Sequence, residues 1–120
     1  MNYVRKSDEF ARAAKESLGR SDWTAAVTNA MHSGLSMADA LCVYNLGVRS
    51  ADPDHKRAID LLLTVDLERE ELSKNSRHLL NLLKNKNVAE YEEKLLGETE
   101  ATEACEQLER FRKWAKSKLV

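Results

Sequence analysis

Residues 23–46 read WTAAVTNAMHSGLSMADALCVYNL, and they form the most apolar stretch of the chain. Apolar residues occur on nearly every face that a helix of this sequence would present, which is typical of a central helix packed on several sides. Its many small residues would let another helix, from this chain or from a second copy, approach closely. Ser21 or Asp22 can cap the start of this helix, and Gly47 can end it.

The flanking sequence predicts further helices on both sides of this central one. Apolar residues at helical spacing predict a first helix over 3–18, a fourth over 67–85 and a last one over 98–118. The third helix is expected to open at Pro53, with Asp52 as its N-cap. Because the connections are short and no run alternates like a β-strand, we predict an all-α antiparallel bundle of four to five helices. The bundle is expected to form a single domain over residues 1–120.

Composition narrows the class of protein. Apolar residues make up 42% of the chain, charged residues 32%, and the net charge is −1, so anion binding must come from a local patch. The N-terminus lacks an apolar signal core and no run is long enough to cross a bilayer. These features predict a cytoplasmic protein without membrane contact.

Motifs for metal or cofactor chemistry are missing from the sequence. Cys42 and Cys105 have no metal-ligand spacing and are expected to be reduced thiols. There is no H-E-x-x-H, C-x-x-C or Glu-x-x-His pattern, and the four glycines are isolated rather than grouped in a phosphate-binding loop. We therefore predict neither a metal site nor a cofactor.

The last predicted helix is acidic first and basic later. Glutamates dominate positions 90–109, whereas positions 110–118 hold only basic charges: Arg110, Arg112, Lys113, Lys116 and Lys118. One interpretation is complementarity with the helix dipole, which favours acids early and bases late. The other is that the basic end helps to hold a polyanion.

The corner between the two most apolar helices, residues 45–60 (NLGVRSADPDHKRAID), concentrates polar chemistry. Arg49 and His55 are separated by five residues across it. An arginine presents a planar fork of donors suited to phosphate, and a histidine can act as a general acid or base near neutral pH. Together they would suit RNA cleavage by internal transfer from the 2′-hydroxyl. A plain turn between two helices explains the same residues from spacing alone.

These residues resemble the HEPN superfamily, whose defining motif is an Arg, often followed by a polar residue, and then a His after four to six positions. Arg49, Ser50 and His55 match that motif, and the resemblance extends through LLNLLKNKNVAEYE and the final acidic-then-basic helix with FRKW. It implies a HEPN-like bundle that dimerises and joins two Arg–His motifs in one composite cleft. Arg49 and His55 would be the catalytic pair of a metal-independent endoribonuclease, with Ser50 as an auxiliary polar group.

The resemblance also implies partners. Many members act on RNA as toxins or in antiviral defence, and some are neutralised by a nucleotidyltransferase antitoxin that modifies a tyrosine two residues after the histidine. Here Lys56 and Arg57 follow His55 instead, which disfavours that modification and adds positive charge for RNA binding. Other members are non-catalytic and bind a nucleotide or a partner protein. That class, and a bundle whose role is dimerisation alone, remain the alternatives to the ribonuclease.

Overall fold

A computed structural model of the protein describes residues 2–50 and 55–119, without the side chains of His55, Lys56 and Glu90. Its α-helices are α1 (Asn2–Gly19), α2 (Trp23–Leu46), α3 (His55–Leu62), α4 (Arg69–Leu82), α5 (Lys86–Tyr91) and α6 (Glu98–Ser117), with one 3-10 turn at Leu83–Asn85. The described residues contain no β-strand, and five of these helices have eight residues or more. The predicted all-α bundle of four to five helices is confirmed.

The central position predicted for α2 is also confirmed. Its buried residues, from Ala40 on one side through Val27 to Cys42 on the other, cover more than half of the helix circumference. The helix packs against α1, α3, α4, α5 and α6. Close packing against α4 depends on Gly34, because a Cβ atom there would lie 2.6 Å from Cδ2 of Leu82. The small residues of α2 therefore serve contacts within this chain.

Two helix ends show how local chemistry sets the boundaries. Gly47 ends α2 in the left-handed conformation, with φ +76°, and its N–H donates to the carbonyl of Val43 at 3.0 Å. Both carboxylate oxygens of Glu68 accept from backbone N–H groups, those of Glu70 at 3.0 Å and Glu71 at 2.7 Å. This cap makes α4 begin at Arg69 rather than at the predicted 67.

Cross-helix contacts fix the direction of the chain in the bundle. Lys118 near the end of α6 donates to Glu71 in the first turn of α4 at 3.1 Å, so these two helices run antiparallel. The backbone N–H of Leu96, just before α6, donates to Thr24 at the start of α2, so α6 runs parallel to α2. The end of α2, the start of α4 and the end of α6 therefore lie at the same end of the bundle.

A buried polar network joins α1, α2 and α6 in the core. The hydroxyl of Ser7 donates to the carbonyl of Ser33 at 2.9 Å, and the hydroxyl of Ser33 donates to the carbonyl of Ser7 at 2.7 Å. Arg112 donates to Ser7 and pairs with Asp8, which also pairs with Lys116 at 2.9 Å. Burial raises the pKa of Asp8, but the hydrogen bond and charge of Lys116, with the charge of Arg112, outweigh it and hold that pKa below its ordinary value.

Within residues 2–50 and 55–119, no helix is both long enough and apolar enough to span a bilayer.

Candidate functional site

The predicted site lies at the corner where α2 ends and α3 begins. After Gly47 the chain leaves α2 through Val48, Arg49 and Ser50, and it enters α3 at His55. The predicted cap Asp52 and the predicted first helical residue Pro53 lie outside the described residues. The predicted end of α2 at Gly47 is thus confirmed, and the opening of α3 at Pro53 stays a prediction.

The side chain of Arg49 is exposed, so its positive charge is accessible to a ligand. Its guanidinium carbon lies 5.7 Å from the centre of the Tyr3 ring, and one guanidinium nitrogen donates to the carbonyl of Ser50 at 3.3 Å. Among the described carboxylates, none lies within ion-pair distance of Arg49. The contact with Tyr3 orients the side chain while leaving most of its five N–H donors for a ligand.

The structure brings one acidic residue into this neighbourhood that sequence reasoning missed. Burial raises the pKa of Asp39 on α2, and the nearby charges of Arg49 and Lys6 oppose that rise. A signal for it exists in the sequence, because Asp39 is the only Asp, Glu, Lys or Arg within residues 23–46. A lone carboxylate in an apolar helix is uncommon unless a positive charge lies nearby.

Burial also shifts the pKa of the Cys42 thiol, which lies about one turn beyond Asp39 on α2. It raises the pKa of Cys42 to about 11, and the negative charge of Asp39 adds to the effect. Cys105 on α6 is half-buried, and burial raises its pKa as well. Both cysteines are free thiols, as predicted, and their environments oppose the thiolate form that a nucleophile needs.

The other predicted site residues are placed as follows. Ser50 follows Arg49 directly and is half-buried. His55 and Lys56 lie in the first turn of α3, with their side chains outside the described part of the structure, and Arg57 next to them is exposed. The structure therefore brings Arg49 and Ser50 together, and the pairing of Arg49 with His55 stays a prediction.

Large apolar side chains surround the exit from α2. Tyr44 is 48% exposed, Leu46 38% and Val48 56%, and Arg49 comes immediately after them in the chain. Exposed large apolar residues also occur elsewhere in the described chain, at Leu80, Tyr91 and Leu95.

The two other histidines lie away from this corner. His32 is half-buried, with its ring centre 5.2 Å from that of Phe10. The Nδ1 atom of His78 on α4 lies 2.7 Å from Oε1 of Gln107 on α6. Within the described side chains, no three His, Cys, Asp or Glu residues are grouped so that they could hold a metal ion.

Comparison of the chain with family models, with curated proteins and with solved structures finds no match in any of the three.

Proposed function

We propose that the protein is a metal-independent endoribonuclease of the HEPN type, which cleaves RNA through a composite Arg–His site at a dimer interface. The observation that carries this proposal is the state of Arg49, which is exposed, oriented by Tyr3 and unpaired with any described carboxylate. A guanidinium that forms no close ion pair with the described carboxylates can bind an anion such as phosphate, and Asp39 is the described carboxylate whose charge lies nearby.

The chemistry needs only a base, an acid and a fixed positive charge. His55 takes the proton of the RNA 2′-hydroxyl, and the resulting oxygen attacks the adjacent phosphorus in line. Arg49 stabilises the negative charge that accumulates on the phosphorane oxygens. The bond from phosphorus to the 5′-oxygen then breaks, and that oxygen takes a proton from the His55 imidazolium of the second copy. The products are a 2′,3′-cyclic phosphate and a free 5′-hydroxyl.

Supporting roles fall to the neighbouring residues. Ser50, adjacent to Arg49, is proposed as an auxiliary hydrogen-bonding group for the phosphate. Lys56 and Arg57 follow His55 in α3 and would contact the RNA backbone on either side of the cleaved bond. Single-stranded or loop RNA is the expected substrate, because its 2′-hydroxyl can reach the in-line position that a duplex denies it.

Dimerisation is supported by the apolar side chains beside Arg49. A second copy related by a twofold axis would cover Leu46 and Val48 with the same residues of its own surface. Such an interface places two copies of the corner next to each other and completes the composite site. A toxin or defence role, with an antitoxin or nucleotidyltransferase as partner, belongs to this proposal and follows from the family resemblance alone.

One observation favours the non-catalytic alternative, in which the corner binds a nucleotide or a partner protein. The contact between Arg49 and the Tyr3 ring gives the guanidinium a structural use that requires no reaction. In that case Arg49→Ala would lower stability and partner binding without changing any RNA cleavage.

The test is cleavage of an RNA mixture by purified protein in the presence of a chelator. Arg49→Ala and His55→Ala should each reduce the rate by about 10²- to 10⁴-fold while remaining folded by circular dichroism. Arg49→Lys keeps the charge but loses the fork and should recover only part of the rate. Arg5→Ala, an exposed arginine of α1, is the matched control and should cleave like the wild type.

Two further measurements complete this test. The new ends should carry a 2′,3′-cyclic phosphate, and Val48→Glu should convert a dimer into a monomer in light scattering and abolish cleavage with it. Equal cleavage by the wild type and by both alanine variants would identify a contaminating nuclease and refute the proposal.

A further inference from the structure

A second polar surface lies between α4 and α6, on the half of these helices nearest the end of the bundle where α2 ends. It is an open cleft of about 580 Å³. The residues that carry the argument are on both walls: Lys74 and His78 from α4, and Arg110, Lys113, Trp114 and Ser117 from α6.

The charged residues that line the cleft are basic. Lys74, Arg110 and Lys113 contribute three positive charges, and no carboxylate lines the cleft. Within the part of the chain that the structure describes, none of the three forms an ion pair. The chain as a whole has a net charge of −1, so this surface departs strongly from the average.

A neighbouring cavity on α6 differs from the cleft because carboxylates are among its lining residues. That cavity, of about 680 Å³ between α1 and α6, is lined by basic residues and also by Asp8, Glu106 and Glu109. Its Asp8 pairs with both Arg112 and Lys116. Carboxylates therefore offset part of the positive charge on that side of α6, whereas none lines the cleft; Lys113 lines both.

Hydrogen-bond donors line the same cleft. Nδ1 of His78 lies 2.7 Å from Oε1 of Gln107, so that this ring nitrogen is engaged by α6. The indole of Trp114 is only 9% exposed, and its Nε1 has no acceptor in the described structure. The charged donors on the two walls, Lys74 on α4 and Arg110 and Lys113 on α6, are what a ligand rich in acceptor oxygens would match.

The arrangement favours several phosphates over one. Lys74 and His78 are separated by one helical turn, as are Arg110 and Lys113, so each wall presents two side chains whose Cβ atoms are about 5–6 Å apart. A single inorganic phosphate can use only part of this set, whereas an extended strand can place successive phosphates along both walls. The cleft is also open at the surface, which admits a chain that continues beyond it.

We infer that the cleft between α4 and α6 binds the phosphodiester backbone of single-stranded RNA. That the ligand is an anion follows from the charges of the cleft alone. That this anion is an RNA strand rests on the proposed ribonuclease function. Since the start of α4 and the end of α6 lie at the same end of the bundle as the corner with Arg49, the cleft would hold RNA flanking the cleaved bond. The basic end of α6 then serves a polyanion and not the helix dipole alone.

The test measures binding of a short fluorescein-labelled oligouridylate by anisotropy, in the His55→Ala background so that the strand is not cut. Arg110→Gln with Lys113→Gln removes two charges from the cleft. Two lost phosphate contacts should weaken binding about 25-fold at 0.1 M salt and reduce the slope of log K against log salt by about 1.4. Lys15→Gln with Lys94→Gln removes the same charge from exposed positions elsewhere and should change binding less than about threefold.

Three results would overturn the inference. One is an unchanged affinity in the cleft variant, and another is an equal loss in the control variant. The third is displacement of the oligonucleotide by inorganic phosphate or uridine triphosphate at an equal concentration of phosphate groups, which would make the cleft a site for small anions.

The outcome also separates this inference from the proposed function. If the protein binds RNA through the cleft but cleaves none, the inference is supported and the proposed ribonuclease function is refuted. Normal cleavage with unchanged binding and KM in the cleft variant would refute the inference about the cleft and leave the proposed ribonuclease function standing.

Discussion

Replacing Gly34 by alanine tests the close packing on which the bundle depends. A Cβ atom at this position would lie 2.6 Å from Cδ2 of Leu82 and 3.0 Å from Cδ1 of Leu79. Carbon atoms in contact prefer separations of about 3.5–4.0 Å, so the first distance is too short by roughly 1 Å. Both leucines are fully buried, which leaves them little room to move away.

The expected magnitude is the difference between two opposing effects. Alanine in place of glycine inside a helix stabilises the helix by about 1 kcal/mol, and overpacking a filled core costs about 1–3 kcal/mol. Gly34→Ala should therefore lower the free energy of unfolding by about 1 kcal/mol. With an unfolding entropy of about 2.1 cal/mol/K per residue, that loss corresponds to a Tm lower by about 4 °C.

The assay is urea unfolding followed by circular dichroism, with Gly19→Ala as the matched control. A Cβ at Gly19 would meet nothing within 4 Å, so that variant should be as stable as the wild type or slightly more stable. In a Leu82→Val background, which lacks the clashing Cδ2, Gly34→Ala should no longer destabilise. The packing argument is wrong if Gly34→Ala alone stabilises the protein as much as Gly19→Ala does.

Three more predictions follow from the same structure. The pKa of Asp8 is lowered in the folded state, so its carboxylate stabilises the fold above about pH 4. That contribution disappears as the pH falls through the folded pKa. Asp8→Asn should therefore be less stable than the wild type at pH 7 in urea titrations, and the difference should shrink below about pH 4. Gly47→Ala should cost about 1 kcal/mol because φ is +76°, whereas Gly47→Asn should cost less, and equal costs would contradict the backbone argument. In a Cys105→Ser variant, Cys42, with its pKa of about 11, should resist alkylation at pH 8 until denaturant is added, and rapid labelling of the folded protein would refute its burial.

The corner with Arg49 and His55 and the cleft between α4 and α6 are formed in different ways. The corner with Arg49 and His55 is local, because the two residues are six positions apart and one helix end and one helix start define it. The cleft is not local, because Lys74 and Arg110 meet only when α4 and α6 pack antiparallel. Binding at the cleft and chemistry at the corner can therefore be separated by mutation.

The sequence by itself determined the helices and the position of α2 among them. Helical periodicity and the turn residue Gly47 act over a few neighbouring positions, so a linear pattern records them directly. Boundaries that depend on side-chain capping were less visible, as shown by Glu68, whose carboxylate moved the start of α4 to Arg69. The placement of Arg49 and His55 on either side of a helix corner was also evident from spacing alone.

Only the tertiary structure decided which basic side chains of α6 form ion pairs and which do not. In the sequence Arg110, Arg112 and Lys113 form one basic run, but they face different partners once α6 is packed. Arg112 turns towards Asp8 on α1 and pairs with it, whereas Arg110 and Lys113 line the cleft with α4, which has no carboxylate in its lining. Lys113 also lines the cavity between α1 and α6. Coulomb interactions depend on distances in space, and no linear pattern contains the distance between two helices that are joined through long stretches of chain.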